Sequence, residues 1–245
     1  MFLVLTPWLL DTSQASAHGA IIFALIGIFF PAAVTLFVFT GTDKLGATTA
    51  NAVSNTTPMF AILFAILFLG ETLTLERVLG AVTVVAGVIT LSWDEKGRKR
   101  DWPLWALLLP IGAASSRGGG LALTKFGLGV WPDPFAAALI GYAVSASVLL
   151  LLNMVRAMRA NVRPRLTPQA VPWFVATGLC NGAATLAMFS ALKGGEVSLV
   201  SPIISTSPLF TFLLGALVLR QERLSARLAV GVALTVAGIL LLLLA

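Results

Sequence analysis

Thr48, Asn51 and Asn55 stand at i, i+3 and i+7, so a helix drawn through them carries all three on one face, with Pro58 a turn further on. Ser198, Ser201, Ser205 and Pro208 repeat that spacing in the second half of the chain. Asn181 and Thr185 lie at i and i+4, and Arg117 precedes the run Gly118, Gly119, Gly120. Amides, hydroxyls and a guanidinium in these positions hydrogen-bond a solute; they do not make or break its bonds. No Gly-x-Ser-x-Gly elbow, no His-Glu-x-x-His pair and no paired carboxylates within apolar segments accompany them, so no catalytic residues and no enzyme activity are expected. A single histidine, His18, and a single cysteine, Cys180, assemble neither a metal cluster nor a disulfide within the chain, and no metal or other cofactor is expected.

The elements that carry these residues are membrane helices. Of 245 residues, 58% are hydrophobic and 11% charged, and the mean hydropathy is +0.97, which is not the composition of a water-soluble domain. Cut at turn residues and charges, the hydropathy gives eight full-length helices at 19–40, 46–69, 75–92, 102–124, 135–155, 171–191, 196–219 and 226–244. Each is close to the roughly 20 residues that a helix needs to cross hydrocarbon. Trp93, Trp102, Trp105, Trp131 and Trp173 fall at or near these cuts, where an amphipathic ring prefers the headgroup layer. The apolar runs are continuous rather than alternating, which excludes a transmembrane barrel. The formal charge of +6 comes from Lys and Arg at helix ends and in loops, so it reads as anchoring to the lipid bilayer and not as a nucleic-acid surface.

In such helices a polar side chain is costly unless it is paired or wet, so the two stripes are expected to line a central cavity and bind a small-molecule substrate. The alternative is hydrogen bonding between helices, worth about 0.6–2 kcal/mol per contact. Pro58 and Pro208 each remove a backbone donor within a helix and read either as gate hinges or as static bends. Arg117 lies about 13 residues into its segment, where a charge costs roughly 2.5–3.5 kcal/mol on insertion scales, so it faces protein, water or a substrate anion, snorkels with Lys125, or binds the C-terminal carbonyls of a neighbouring helix. Asn181 and Thr185 sit beside Gly178-x-x-x-Gly182, a packing signal, and are further cavity candidates. Gly80, Gly87, Gly231 and Gly238 read as packing seams. Glu71 and Glu222 at helix ends read as a structural lock on backbone donors of the following helix or on Arg77 and Arg223. All ten acidic residues fall in loops or at helix ends, so no midplane carboxylate is placed to relay protons.

Sliding the chain by 150 residues aligns Ala32-Ala33-Val34-Thr35-Leu36 with Gly182-Ala183-Ala184-Thr185-Leu186, and Pro58-Met59-Phe60 with Pro208-Leu209-Phe210. After one inserted residue the offset becomes 151 and pairs Glu71 with Glu222, Gly80 with Gly231 and Ala86-Gly87 with Ala237-Gly238. Residues 102–245 then form a C-terminal five-helix repeat, and residues 1–92 an N-terminal repeat lacking its first helix and most of its second. An odd number of crossings per repeat inverts one copy relative to the other. Met1–Leu10 is too short to span, and the repeat makes it the end of the second helix; about 50 residues are expected upstream by the same register. Its other reading, a signal peptide ending at Ala15-Ser16-Ala17, lacks the positive n-region.

The order of these motifs, occurring twice, resembles the EamA family of the drug/metabolite transporter superfamily. They are a small and Thr-rich helix, a Pro-Met-Phe or Pro-Leu-Phe in the next, Gly70-Glu71-x-Leu-Thr or Gln221-Glu222-Arg-Leu-Ser after it, then Gly80 to Gly87 or Gly231 to Gly238. The resemblance implies ten helices in two inverted five-helix repeats; this chain supplies eight complete ones and a partial one. Its expected fold is thus an all-α, multi-pass membrane protein of the plasma membrane, the inner membrane of a bacterium. Its expected function is transport of a small polar metabolite or amphipathic compound by alternating access; the rival is a truncated, non-transporting membrane protein with a structural or interaction role. A homodimer is compatible with the sequence. Sorting Lys and Arg by loop puts 12 on one side and 3 on the other, which makes the richer side cytoplasmic and the C-terminus external, opposite to the usual drawing of that family.

Overall fold

A computed structural model describes residues 2–72, 74–92, 103–160, 167–207, 209–210 and 226–244. Among them the backbone is helical and free of strands. The helices are α1 (Phe2–Leu9), α2 (Ala17–Gly27), α3 (Val34–Leu45), α4 (Ala47–Ser54), α5 (Thr57–Phe64), α6 (Leu75–Ser92), α7 (Leu108–Val130), α8 (Pro134–Ala160), α9 (Val171–Gly194), α10 (Val197–Ile204) and α11 (Ala226–Leu244). Within the described residues, three stretches are long and apolar enough to cross a membrane: Ala17–Leu45, Pro134–Val155 and Pro168–Gly194. Thr57–Leu69 and Val230–Leu242 are shorter apolar helices.

That is a coarser result than the eight full-length spans the hydropathy predicts; residues 211–219 of one predicted span lie outside the described residues, and elsewhere the helices kink or turn for local reasons. The segment expected over 19–40 lies within the span Ala17–Leu45 but kinks at Phe30, whose backbone is extended (φ −138°, ψ 113°). Pro31 follows, and a residue before proline is pushed out of the helical region by the proline ring. The segment expected over 46–69 divides at Asn55–Thr56 into α4 and α5 and ends in a wider π turn, Ala65–Leu69, closed by Gly70 in the left-handed region (φ 66°). The segment expected over 196–219 likewise turns at Ser205–Thr206 after α10. Gly118, Gly119 and Gly120 stay helical inside α7, so the run allows close packing without unwinding.

The described helices group into two compact units, Met1–Ala32 with Leu123–Gly194, and Ala33–Ala122 with Gly195–Ala245. Each draws on both halves of the sequence. In the first, α2 lies on α8, with Ile22, Phe23 and Ile26 buried on α2 and Ala136–Ala138 fully buried on α8. A Cβ on Gly27 would strike the Gly141 carbonyl, and one on Gly19 would come within 2.8 Å of Trp131 Cβ. Small residues thus let the two backbones approach, as helix pairs in lipid require. The loop before α2 is tied down by Asp133. Its carboxylate accepts from the backbone N–H of Asp11 at 3.0 Å and of Phe135 at 2.8 Å, capping α8. Trp131 Nε1 donates to the Asp11 carbonyl at 3.3 Å.

In the second unit the dominant packing is α6 on α11. A Cβ on Gly80 would lie 2.8 Å from Leu242 Cγ and 3.1 Å from the Gly238 carbonyl. One on Gly87 would lie 2.7 Å from Thr235 N and 3.0 Å from the Gly231 carbonyl, and one on Gly238 2.7 Å from Val84 N. As the numbering rises in α6 it falls in α11, so the two helices are antiparallel. The 151 offset carries Gly80 onto Gly231, Val84 onto Thr235 and Gly87 onto Gly238, so the contact of Gly80 with Gly238 maps onto the contact of Gly231 with Gly87. The seam maps onto itself under that offset.

Candidate functional site

The second unit places one polar stripe at a break in the backbone. Asn51 is exposed on α4, and Asn55 is half-buried at its end. The turn that follows is built from local hydrogen bonds. Asn55 N donates to Asn51 O at 3.0 Å, Thr56 N to Val53 O at 3.1 Å and Met59 N to Thr56 O at 3.0 Å, while Thr56 Oγ1 donates to Val53 O at 2.7 Å. The second stripe has the same turn 150 residues on. Ser205 N donates to Ser201 O at 3.1 Å, Thr206 N to Ile203 O at 3.1 Å and Leu209 N to Thr206 O at 2.8 Å, with Thr206 Oγ1 on Ile203 O at 2.7 Å. The two halves therefore share a helix break as well as a residue pattern.

Pro58, which the sequence marks as a gate hinge or a static bend, stands just after the break between α4 and α5. It is buried in the first turn of α5, where a helix has no use for its missing N–H. The carbonyl of Ser54, which a residue with an N–H at position 58 would have bonded, accepts instead from Thr57 Oγ1 at 2.7 Å. Pro208 and the Thr48 side chain lie outside the described residues.

On α10, Ser198 and Ser201 are buried, and neither hydroxyl has a hydrogen-bond partner among the described residues. Ser205 Oγ donates back to Ser201 O at 3.0 Å. The start of α10 is held by Glu71, whose carboxylate accepts from Val197 N at 2.8 Å and Ser198 N at 3.0 Å. The donors are thus those of α10 and not of the helix that follows Glu71. Arg77 pairs with Glu196 beside them. Glu222, the mate of Glu71, lies outside the described residues. Arg117 is half-buried on α7, next to Gly118, whose Cβ would lie 2.6 Å from Ala61 N; α7 therefore meets α5 closely at that level. Arg117 makes no ion pair with a carboxylate among the described residues.

In the first unit, Asn181 and Thr185 come together on α9, as their spacing predicts, and a residue from α8 joins them. Tyr142 Oη donates to Asn181 Oδ1 at 2.7 Å and is 2.9 Å from Thr185 Oγ1. Thr185 is buried and Asn181 exposed. Phe2 of α1 stacks on the Tyr142 ring, with centroids 5.4 Å apart and planes at 30°. Sequence reasoning missed Tyr142. The available signal was that the chain has one tyrosine, eight residues into an apolar helix and so about 12 Å from its end, where the rule for aromatic side chains does not expect it. Below the trio, Lys125 Nζ donates to the carbonyls of Leu192 at 2.9 Å and Lys193 at 3.4 Å, capping the end of α9. Among the described residues no group of three or more His, Cys, Asp or Glu could hold a metal ion.

The model of the EamA-like transporter family matches residues 1–93 and 104–244. A crystal structure of another protein is similar with a TM-score of 0.74 and 20% identity, covering 94% of this chain and 77% of that chain. At that identity the likeness is one of fold alone. No curated protein matches.

Proposed function

The chain belongs to the EamA-like transporter family, and on that premise we propose that it moves a small polar metabolite or amphipathic compound across the membrane by alternating access between two inverted repeats. Family membership and the long apolar helices make it an integral membrane protein; the plasma membrane is the proposed location. The observation that carries the reading is the matched pair of helix breaks, Asn55–Thr56 and Ser205–Thr206, each ending a polar stripe. Interrupted helices in corresponding positions of two repeats are how transporters present backbone and polar side chains to a solute inside the membrane. The antiparallel, self-mapping seam of α6 and α11 supports the inverted relation of the repeats.

On this reading Asn51, Asn55, Ser198, Ser201 and Ser205, with Thr48, are substrate contacts in one unit, Arg117 meets the polar or anionic end of the solute, and the breaks beside Pro58 and Pro208 are the hinges. Asn181 and Thr185 are contacts in the other unit. Asp11, Asp43, Glu71, Glu76, Asp133 and Glu196, the acidic residues among those described, sit in loops or near helix ends, so coupling through a midplane carboxylate is not part of the proposal.

The test is uptake and efflux of a metabolite panel in vesicles carrying the full chain, compared with Asn51→Ala and Arg117→Ala at equal amounts of folded protein. The expected result is saturable flux of at least one compound, reduced about tenfold by Asn51→Ala, the upper end for one lost uncharged hydrogen bond, and more by Arg117→Ala. Absence of any flux from folded protein overturns the transport reading. Flux that neither substitution alters overturns these contacts.

A further inference from the structure

We propose that Tyr142, Asn181 and Thr185 form a recognition site for an uncharged carbonyl group, with Tyr142 acting as the residue that orients the Asn181 amide. The inference rests on the transport reading for its use, and on geometry for its chemistry.

Tyr142 has one hydroxyl hydrogen, and it is given to Asn181 Oδ1 at 2.7 Å. The 2.9 Å contact with Thr185 Oγ1 must then run the other way, with the threonine hydroxyl donating to the tyrosine oxygen. Each hydrogen-bonding group in the chain is thereby oriented by its neighbour: Thr185 is buried and fixed, Tyr142 is fixed by it, and the amide oxygen of Asn181 is occupied. What remains on the outer side is Asn181 Nδ2, with two hydrogens that no described residue accepts, at an exposed position on the middle of an apolar helix. Two unused donors cannot face acyl chains without cost, so they face a ligand or water.

Donors select an oxygen acceptor. The charge of that acceptor follows from what surrounds it. Toward the end of α9 the Lys125 ammonium is committed to the Leu192 and Lys193 carbonyls, and Lys193 itself stands in the last turn, about 18 Å along the helix axis from Asn181. With no cation among the described residues bonded to the trio to offset an anion, an amide, ketone or lactam oxygen fits the site better than a carboxylate. The Phe2 ring stacked on Tyr142 supplies an apolar flank for the body of such a compound.

Three probes that share a side chain separate the possibilities: N-acetyl-leucinamide, uncharged with two carbonyls; leucine, a zwitterion; and leucinol, a cation without a carbonyl. Binding is measured by equilibrium dialysis on the full chain in lipid nanodiscs, and counterflow of the same probes in proteoliposomes. The expected order is N-acetyl-leucinamide tighter than either other probe by about tenfold, the upper end for one net uncharged hydrogen bond. Asn181→Ala abolishes that preference. Asn181→Asp, nearly isosteric and therefore a control for folding, replaces donors by a carboxylate and shifts the preference to leucinol. Tyr142→Phe leaves the amide present but unoriented and weakens the preference without inverting it. Thermal unfolding in the same nanodiscs, within a few degrees of wild type, accompanies each variant.

Equal affinity for all three probes, no binding of any, or a preference that survives both Asn181 substitutions overturns the proposal. Failure of the transport reading looks different: an Asn181-dependent preference in nanodiscs with no counterflow in proteoliposomes. Counterflow indifferent to both Asn181 variants removes this site and leaves transport standing.

Discussion

Glu71 shows how one carboxylate on a short turn fixes a distant helix. Its two oxygens take the N–H groups of Val197 and Ser198, two of the donors that the first turn of α10 cannot satisfy itself. Both bonds are charge-assisted, and the helix dipole favours a negative charge there. Glu71→Ala is expected to cost about 1–2 kcal/mol of stability, the usual loss for a removed cap. Glu71→Gln, which keeps one acceptor and loses the charge, is expected to cost less; thermal unfolding in detergent checks both, and equal stability of all three proteins would show the cap to be idle. Residues of this kind are only half legible in a sequence. A Glu repeated at two equivalent turns marks a lock, but the donors it holds lie 126 and 127 residues away, so the identity of the locked helix comes only from the fold. Tyr142 repeats the lesson. Asn181 and Thr185 advertise each other by helical spacing, whereas their partner is on another helix and no periodicity links it to them.

At the scale of the element, two kinds of glycine separate cleanly. Gly87 sits where a Cβ would meet Thr235 Oγ1, held by its bond to the Gly231 carbonyl, and the backbone N of Thr235, which cannot move without moving α11. Gly129, inside α7, has nothing within 4 Å of the same position. Gly87→Val is therefore expected to destabilise by about 1–3 kcal/mol through overpacking of the seam, and Gly129→Ala to stabilise by roughly 0.5–1 kcal/mol through the lost chain entropy of glycine in a helix. Opposite signs in one unfolding assay are the check; a neutral Gly87→Val would mean the seam is loose. The repeat in the sequence already marked Gly80, Gly87, Gly231 and Gly238 as seams, because small residues at a fixed spacing have few other uses in lipid. The helix breaks were legible only in part: Pro58 and Pro208 marked the places as hinges or bends, without the turns that precede them. Hydropathy averages over a window and carries 46–69 as one segment across Asn55–Thr56; the break depends on which carbonyls find donors. Thr57 on the Ser54 carbonyl and Thr56 on that of Val53 supply them, which is a property of hydroxyl geometry and not of apolarity.

For the molecule as a whole, the antiparallel pairing of α6 and α11 constrains which loops share a face of the membrane. Gly87, late in α6, lies against Gly231, early in α11, so the end of α6 and the start of α11 are at one level. The sequence puts Lys96, Arg98, Lys99 and Arg100 just after the first, and Arg220, Arg223 and Arg227 around the second. Gly80, early in α6, lies against Leu242 at the end of α11, which brings the Arg77 side and the C-terminus to the other level. The charges that adjoin these two helix ends in the sequence are the ones that the loop count assigns to one side. Retention of basic loops on the cytoplasmic side then makes the C-terminus external. The prediction is read with single cysteines in a Cys180→Ser background, since Cys180 is the only cysteine in the chain. A membrane-impermeant maleimide is expected to label Lys193→Cys in intact cells and Lys96→Cys only in inverted vesicles. The reverse pattern would leave the antiparallel architecture intact and show that charge bias does not orient this chain. Labelling of both positions from the same face would be incompatible with the three crossings that the sequence reading expects between them, and would remove the inverted arrangement on which the proposed alternating access depends.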